Sequence, residues 1–138
     1  MSPPPVMGIG KQRRRVGAML GAMPLIRIVS SAEPPVAGAA DALLADLSAV
    51  LAREIGKPES YVMTCLEPRA RMTFGGTPAP ACFAEVMNVG TLAPELTRKL
   101  SGALGERLSA ALGVPKNRTY IRFVEARGRH WGWDGDTF

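Results

Sequence analysis

Cysteine and histidine are scarce in this chain, and acidic residues are missing from its beginning. The two cysteines, Cys65 and Cys82, lie in apolar, strand-like stretches with no partner at a metal-binding or redox spacing, so they read as reduced, buried thiols. The one histidine, His130, sits near the C-terminus and is expected to have no role. No stretch approaches the roughly 18 to 20 continuous apolar residues that a membrane span needs, because Arg, Asp and Glu interrupt every apolar run. Residues 1–23 hold Lys11, Arg13, Arg14 and Arg15 but no acid, and they account for four of the five net positive charges. The remainder is close to neutral, so a nucleic-acid role is confined to that tail and is not expected of the folded part.

What is present suits one globular domain: 138 residues, of which 46% are hydrophobic and 21% charged. The first segment carries Pro3, Pro4 and Pro5, a Gly-Ile-Gly and the Arg triplet, without sustained periodicity. Residues 1–23 are therefore expected to be a disordered basic extension, or upstream sequence ahead of a true start at Met23. The segment has some transit-peptide character but lacks serine richness and an amphipathic helix, so organelle targeting stays open. The reduced thiols fit a cytoplasmic protein, and secretion without a signal peptide fits equally.

From Pro24 onward the chain repeats itself at an offset of 57 residues. Leu43, Leu47, Leu51, Ile55, Gly56 and Pro58 fall on Leu100, Leu104, Leu108, Leu112, Gly113 and Pro115. The coincidence includes the helix stop as well as the apolar face, so both halves follow one plan of strand, helix, strand. The first half predicts a strand over Leu25–Val29, a helix led in by Pro34-Pro35 and ended by Gly56, and a strand over Tyr61–Leu66. The second predicts a strand over Ala81–Val89, a helix from Pro94 to about Leu112, and a strand over Thr119–Val124. Right-handed βαβ crossovers then give an α+β fold: a four-stranded mixed sheet with two antiparallel helices on one face. The strands are too apolar on both faces for the other face to meet water, which predicts self-association over it.

Several short pieces in order carry a family resemblance. They are Met23-Pro24 before a strand, Gly56-Lys57-Pro58 with Tyr61, and Met72-Thr73-Phe74-Gly75-Gly76 followed by Pro80. Val89-Gly90, Asn117-Arg118-Thr119-Tyr120-Ile121, Trp131-Gly132-Trp133 and Asp136-Thr137-Phe138 complete the set. On these, residues 24–138 resemble the macrophage migration inhibitory factor and D-dopachrome tautomerase family. The resemblance implies a homotrimer whose three sheets enclose a channel, with active sites at the subunit boundaries and no cofactor or metal.

It also implies the chemistry. A proline nitrogen inside a chain is an amide, whereas at a free N-terminus it is a secondary amine whose pKa an apolar pocket or a nearby cation lowers toward neutrality. Pro24 is then the general base, taking a proton from the carbon beside a carbonyl and returning it elsewhere. Lys57 corresponds to the lysine that meets a substrate carboxylate, Val89 to a pocket wall, and Tyr120 to a tyrosine contributed across the subunit boundary. Ser60 and Tyr61 are expected to be structural. The chain departs from the mammalian pattern at Arg122, where an asparagine stands in the family, and at Trp131, where a small apolar residue stands. Arg122 either grips an anionic substrate or pairs with an acid such as Glu125. Trp131 adds an aromatic wall beside Trp133. The mammalian Cys-x-x-Cys is absent, and no dithiol chemistry is carried over. The expected activity is keto-enol tautomerisation of small aromatic 2-oxo acids, with phenylpyruvate- or dopachrome-like substrates. The alternative is a secreted, cytokine-like protein that binds a cell-surface receptor.

Overall fold

The computed structural model describes residues 23–33 and 36–138. In chain order it contains β1 (Leu25–Ser30), α1 (Ala39–Ile55), β2 (Met63–Glu67), β3 (Cys82–Val89), α2 (Pro94–Leu112) and β4 (Thr119–Ala126). A short pair follows, β5 (Gly132–Trp133) and β6 (Asp136–Thr137). The expected N-terminal extension, apart from Met23, and the Pro34-Pro35 lead-in lie outside the described residues.

The sequence repeat is a structural one. α1 stops at Gly56 (φ 79) and α2 at Gly113 (φ 69). That left-handed conformation is strained for any residue with a Cβ, and each glycine N–H caps its helix by donating to the carbonyl of Ala52 or Ser109. Each chain segment then passes a proline into one helical turn, Glu59–Tyr61 in the first half and Lys116–Arg118 in the second. These turns shorten the expected second strand: Tyr61 donates its N–H to the Pro58 carbonyl at 3.1 Å, so extended pairing begins only at Met63.

The sheet order is β2-β1-β3-β4, with β1 parallel to β2, β3 parallel to β4, and β1 antiparallel to β3. The helices lie antiparallel on one face. Arg107 reaches Asp46 at 2.8 Å and Lys99 reaches Glu54 at 2.8 Å, so partners advance along one helix as they retreat along the other. The core between the layers holds Ile26 and Ile28 of β1, Ala84 and Val86 of β3, Leu43, Leu47 and Leu51 of α1, and Leu100, Leu104 and Leu108 of α2. Cys82 joins this core, where burial pushes its thiol up to about 11 and holds it protonated at neutral pH.

Alternation along the strands puts Leu25, Val29, Phe83, Met87 and Val124 on the opposite, helix-free face. That face is not uniformly apolar. A row of alternating charges crosses all four strands, from Glu67 through Arg27 and Glu85 to Arg122, with contacts of 2.6, 3.9 and 3.1 Å. Arg27 sits opposite Glu85, and Glu85 opposite Arg122, in the strand register. The hydrogen bond to Glu67 is the main cause that raises the Arg27 guanidinium above its usual pKa.

Two side chains set the ends of this frame. Arg118 leaves its helical turn to donate to the carbonyls of Phe74, Thr77, Ala79 and Pro80 and to the Thr77 hydroxyl, at 2.8 to 3.2 Å. Its guanidinium also lies over the Phe74 ring, 5.4 Å from the centroid. One cation thereby folds the 74–80 loop, whose tip Gly75-Gly76 takes positive φ at both residues. Arg118→Ala is expected to lower stability by about 2 kcal/mol. Urea denaturation checks this, and faster proteolysis within 74–80 locates the effect.

Asn88 is the opposite case. It is 0% exposed on the helix-facing side of β3, and neither its amide nitrogen nor its carbonyl oxygen has a partner. Two stranded polar groups cost about 1–3 kcal/mol each, whereas an apolar side chain of similar shape costs none. Asn88→Leu is therefore expected to raise the unfolding midpoint in a thermal melt. A lower midpoint would mean that the amide is satisfied in solution.

Candidate active site

Pro24 stands immediately before β1 and is buried. Its carbonyl accepts the N–H of Met63 at 3.2 Å, which ties it to the neighbouring parallel strand. The antiparallel register of β1 and β3 pairs Leu25 with Met87. One and two steps further along, Pro24 faces Asn88 and Met23 faces Val89. The last pair is seen in packing: Met23 and Val89, each 7% exposed, form a small cluster of their own, apart from the main core.

Aromatic side chains from two other segments close around that pair. Tyr61, set by its helical turn, packs on the cluster together with Trp131 and Phe138. Trp133 meets Tyr61 edge-on, with centroids 5.7 Å apart, and stacks on Phe138 at 6.0 Å. A tight hairpin fixes these C-terminal rings. Asp134 and Gly135 both take positive φ, 52° and 78°, so β5 turns back into β6 through two residues. Phe138 then donates its N–H to the carbonyls of Gly128 and Trp131 at 3.1 and 3.3 Å. Gly128 is required for this closure, since a Cβ there would come within 2.9 Å of the Phe138 backbone.

Lys57 follows the Gly56 stop, and its N–H donates to the Ala52 carbonyl at 3.0 Å, so its backbone is held by the end of α1. The other two expected site residues lie elsewhere. Tyr120 is 66% exposed, rests on Phe74 at 4.9 Å, and pairs in register with Phe83, six residues before Val89. At strand spacing that is about 20 Å from the Met23–Val89 pair. Arg122 pairs with Glu85 on the helix-free face, and Glu125 is engaged by the Leu92 N–H at 2.6 Å. Of its two sequence-based alternatives, Arg122 makes an ion pair, but with Glu85 in place of Glu125.

Val89, Trp131 and Trp133 therefore gather beside Pro24, while Tyr120 and Arg122 of the same chain do not. Tyr61 was expected to be structural, yet its ring is part of the gathered cluster. Phe138 and Met23 were not expected there at all. The signal available for Tyr61 was its position in the Gly56-Lys57-Pro58 piece, and for Phe138 the Asp134-Gly135 hairpin that returns it. His130 is exposed and ends the helical turn Gly128–His130. Among the described residues, no three His, Cys, Asp or Glu side chains gather in a way that could hold a metal. No helix among them is long and apolar enough to cross a membrane.

Comparison with known proteins covers nearly all of this frame. Residues 23–138 match the family model described as macrophage migration inhibitory factor (MIF). The chain is 42% identical over 95 residues to a macrophage migration inhibitory factor homolog of Trichuris trichiura, covering 69% of this chain and 83% of that protein. Against the macrophage migration inhibitory factor of Rattus norvegicus it is 31% identical over 104 residues, or 75% of this chain and 90% of that one. Among solved structures, the crystal structure of the homologue from Prochlorococcus marinus superposes with a TM-score of 0.77 at 43% identity. That match covers 83% of this chain and 98% of the other.

Proposed function

The chain belongs to the macrophage migration inhibitory factor family, within the tautomerase superfamily, and from that premise we propose that it is a cofactor-independent keto-enol tautomerase of aromatic 2-oxo acids. The observation that carries the reading is the burial of Pro24 next to a cluster of Tyr61, Val89, Trp131 and Phe138, with Trp133 stacked behind. Once Pro24 is N-terminal, its nitrogen is an amine with a lone pair in an apolar, aromatic-walled pocket. In phenylpyruvate the amine takes a proton from C3, the C3–H electrons form the C2=C3 bond, and the carbonyl becomes an enolate. The resulting ammonium returns the proton to that oxygen, so the enol forms and the amine is regenerated. Apolar walls and the Lys57 cation disfavour the ammonium and keep the amine available. Lys57 binds the substrate carboxylate, and the rings of Trp131 and Trp133 flank the aromatic group.

The roughly 20 Å between Tyr120 and the Val89 end of the strand supports a site completed by a second chain. We assign Tyr120 and Arg122 to the pocket of a neighbouring subunit in a homotrimer, whose subunits cover the helix-free sheet face. The charged row across that face fits a water-lined channel better than a dry interface. Phenylpyruvate turnover by protein that begins at Pro24 tests the reading.

A second reading draws on Met23, which fills the pocket while it remains attached. A chain that keeps residues 1–23 has no free amine at Pro24 and can still serve as a receptor-binding signal. Intact mass and N-terminal sequencing of protein from its native source separate the two.

A further inference from the structure

The seat of Met23 says more about the pocket than its walls do. Met23 is joined to the Pro24 nitrogen by a peptide bond of about 1.3 Å, and the residue is 7% exposed, packed with Val89, Tyr61, Trp131 and Phe138. A carbon that is to lose a proton to that nitrogen must come within roughly 3–3.5 Å of it. Any ligand meeting the condition enters the volume that Met23 now takes. Its substituent beyond the reacting carbon must continue along the path of the methionine side chain, because the surrounding rings are pinned by the C-terminal hairpin. We infer that Met23 is a tethered occupant of the substrate side-chain seat, and that this seat accepts 2-oxo acids with a slim, unbranched apolar or thioether side chain as well as arylpyruvates. The inference rests on the tautomerase reading of the site and extends it to a substrate class.

Physical chemistry supports both halves of the statement. An unbranched thioether adapts to a narrow gap and makes favourable sulfur contacts with ring edges. A flat ring can enter between aromatic planes in the same way. A tetrahedral branch next to the reacting carbon would instead press on Val89, and one surplus methyl in a filled slot weakens binding by about tenfold or more. The tether matters as well. Held in place by one bond, Met23 competes at an effective concentration of about millimolar or above. Met23 thus acts twice, by acylating the base and by filling the pocket.

The two actions separate in one experiment. Of the two tryptophans of the chain, Trp131 packs on the Met23–Val89 pair and Trp133 lies against Tyr61 and Phe138 behind it, so their fluorescence reports occupancy without turnover. The probe is 4-methylthio-2-oxobutanoate, titrated into the full chain, the full chain with Met23→Gly, and a chain beginning at Pro24. Saturable quenching is expected in the last two, at least about tenfold tighter than in the full chain. The branched 4-methyl-2-oxopentanoate should bind about tenfold more weakly than the linear acid. Met23→Gly should bind but not turn over, since its Pro24 nitrogen is still an amide. Equal affinity of the full chain and Met23→Gly overturns the inference, as does equal affinity for the branched acid. The chain beginning at Pro24 keeps the test decisive if Met23→Gly fails to fold. Expected binding without any phenylpyruvate turnover would sink the tautomerase reading and leave the occupied seat standing. Phenylpyruvate turnover without binding of the linear acid would do the reverse.

Discussion

Protein that begins at Pro24 is expected to interconvert the keto and enol forms of phenylpyruvate at least about a thousandfold faster than the chain that carries residues 1–23, the scale on which a positioned acid-base group acts. The difference comes from one bond. With Met23 attached, the Pro24 nitrogen shares its lone pair with a carbonyl and cannot accept a proton at any ordinary pH. Freed, it is a secondary amine whose neutral form is the base. The rate should accordingly rise with pH through the amine's pKa and then level off, because acid converts the base to an inert ammonium. That midpoint should lie below the roughly 8 of an ordinary α-amine, since the apolar walls and, in the proposed site, the Lys57 cation both oppose the charged form. Enol absorbance gives the rate, and mass spectrometry verifies which N-terminus each preparation carries. Pro24→Gly in the shorter protein is expected to abolish turnover, as it replaces the rigid ring amine with a mobile one. Retained activity in that variant, or equal rates for the two chain lengths, would remove Pro24 from the mechanism.

Two inactive proteins are expected to make an active one when their subunits are mixed. The site as proposed takes Pro24 from one chain and Tyr120 from its neighbour, because within one chain the two lie against opposite ends of β3. Pro24→Gly loses the positioned ring amine but keeps the tyrosine, and Tyr120→Ala keeps the ring amine but lacks the tyrosine. Refolded together in equal amounts, they should form trimers in which about one site in four pairs an intact Pro24 with an intact Tyr120. Turnover should then approach a quarter of the unmutated level, well above the average of the separate preparations. Tyr120 is 66% exposed in the single chain, so its truncation should leave the subunit folded. A mixture no more active than that average would show that each chain builds its site alone.

The legible part of the molecule was the part written in local pattern. Leucines at helical spacing, glycine and proline at the helix stops, and their recurrence 57 residues later were enough for two strand-helix-strand units. They reproduce α2 at its observed ends, Pro94 and Leu112, because helix boundaries depend on residues within one turn of themselves. The second strand was misjudged at its start for a similarly local reason. Tyr61 and Val62 look strand-like, but the fixed geometry of Pro58 favours one helical turn first. The charged row on the open sheet face was visible only as isolated Arg and Glu residues. It takes the registers of three strand pairs to show that they touch.

The sequence by itself determined the fold class, the repeat, the family and the place of Pro24 at the head of a strand, since each follows from near neighbours or from short ordered motifs. The tertiary structure alone decided which distant residues share the pocket. Met23, Tyr61, Val89, Trp131 and Phe138 come from four separate segments, and only the antiparallel register of β1 and β3, the turn after Pro58 and the C-terminal hairpin bring them together. The same register separates Tyr120 from Pro24 by the length of a strand. Side-chain contact across a sheet is fixed by pairing partners far away in the chain, and no periodicity along a single strand encodes them.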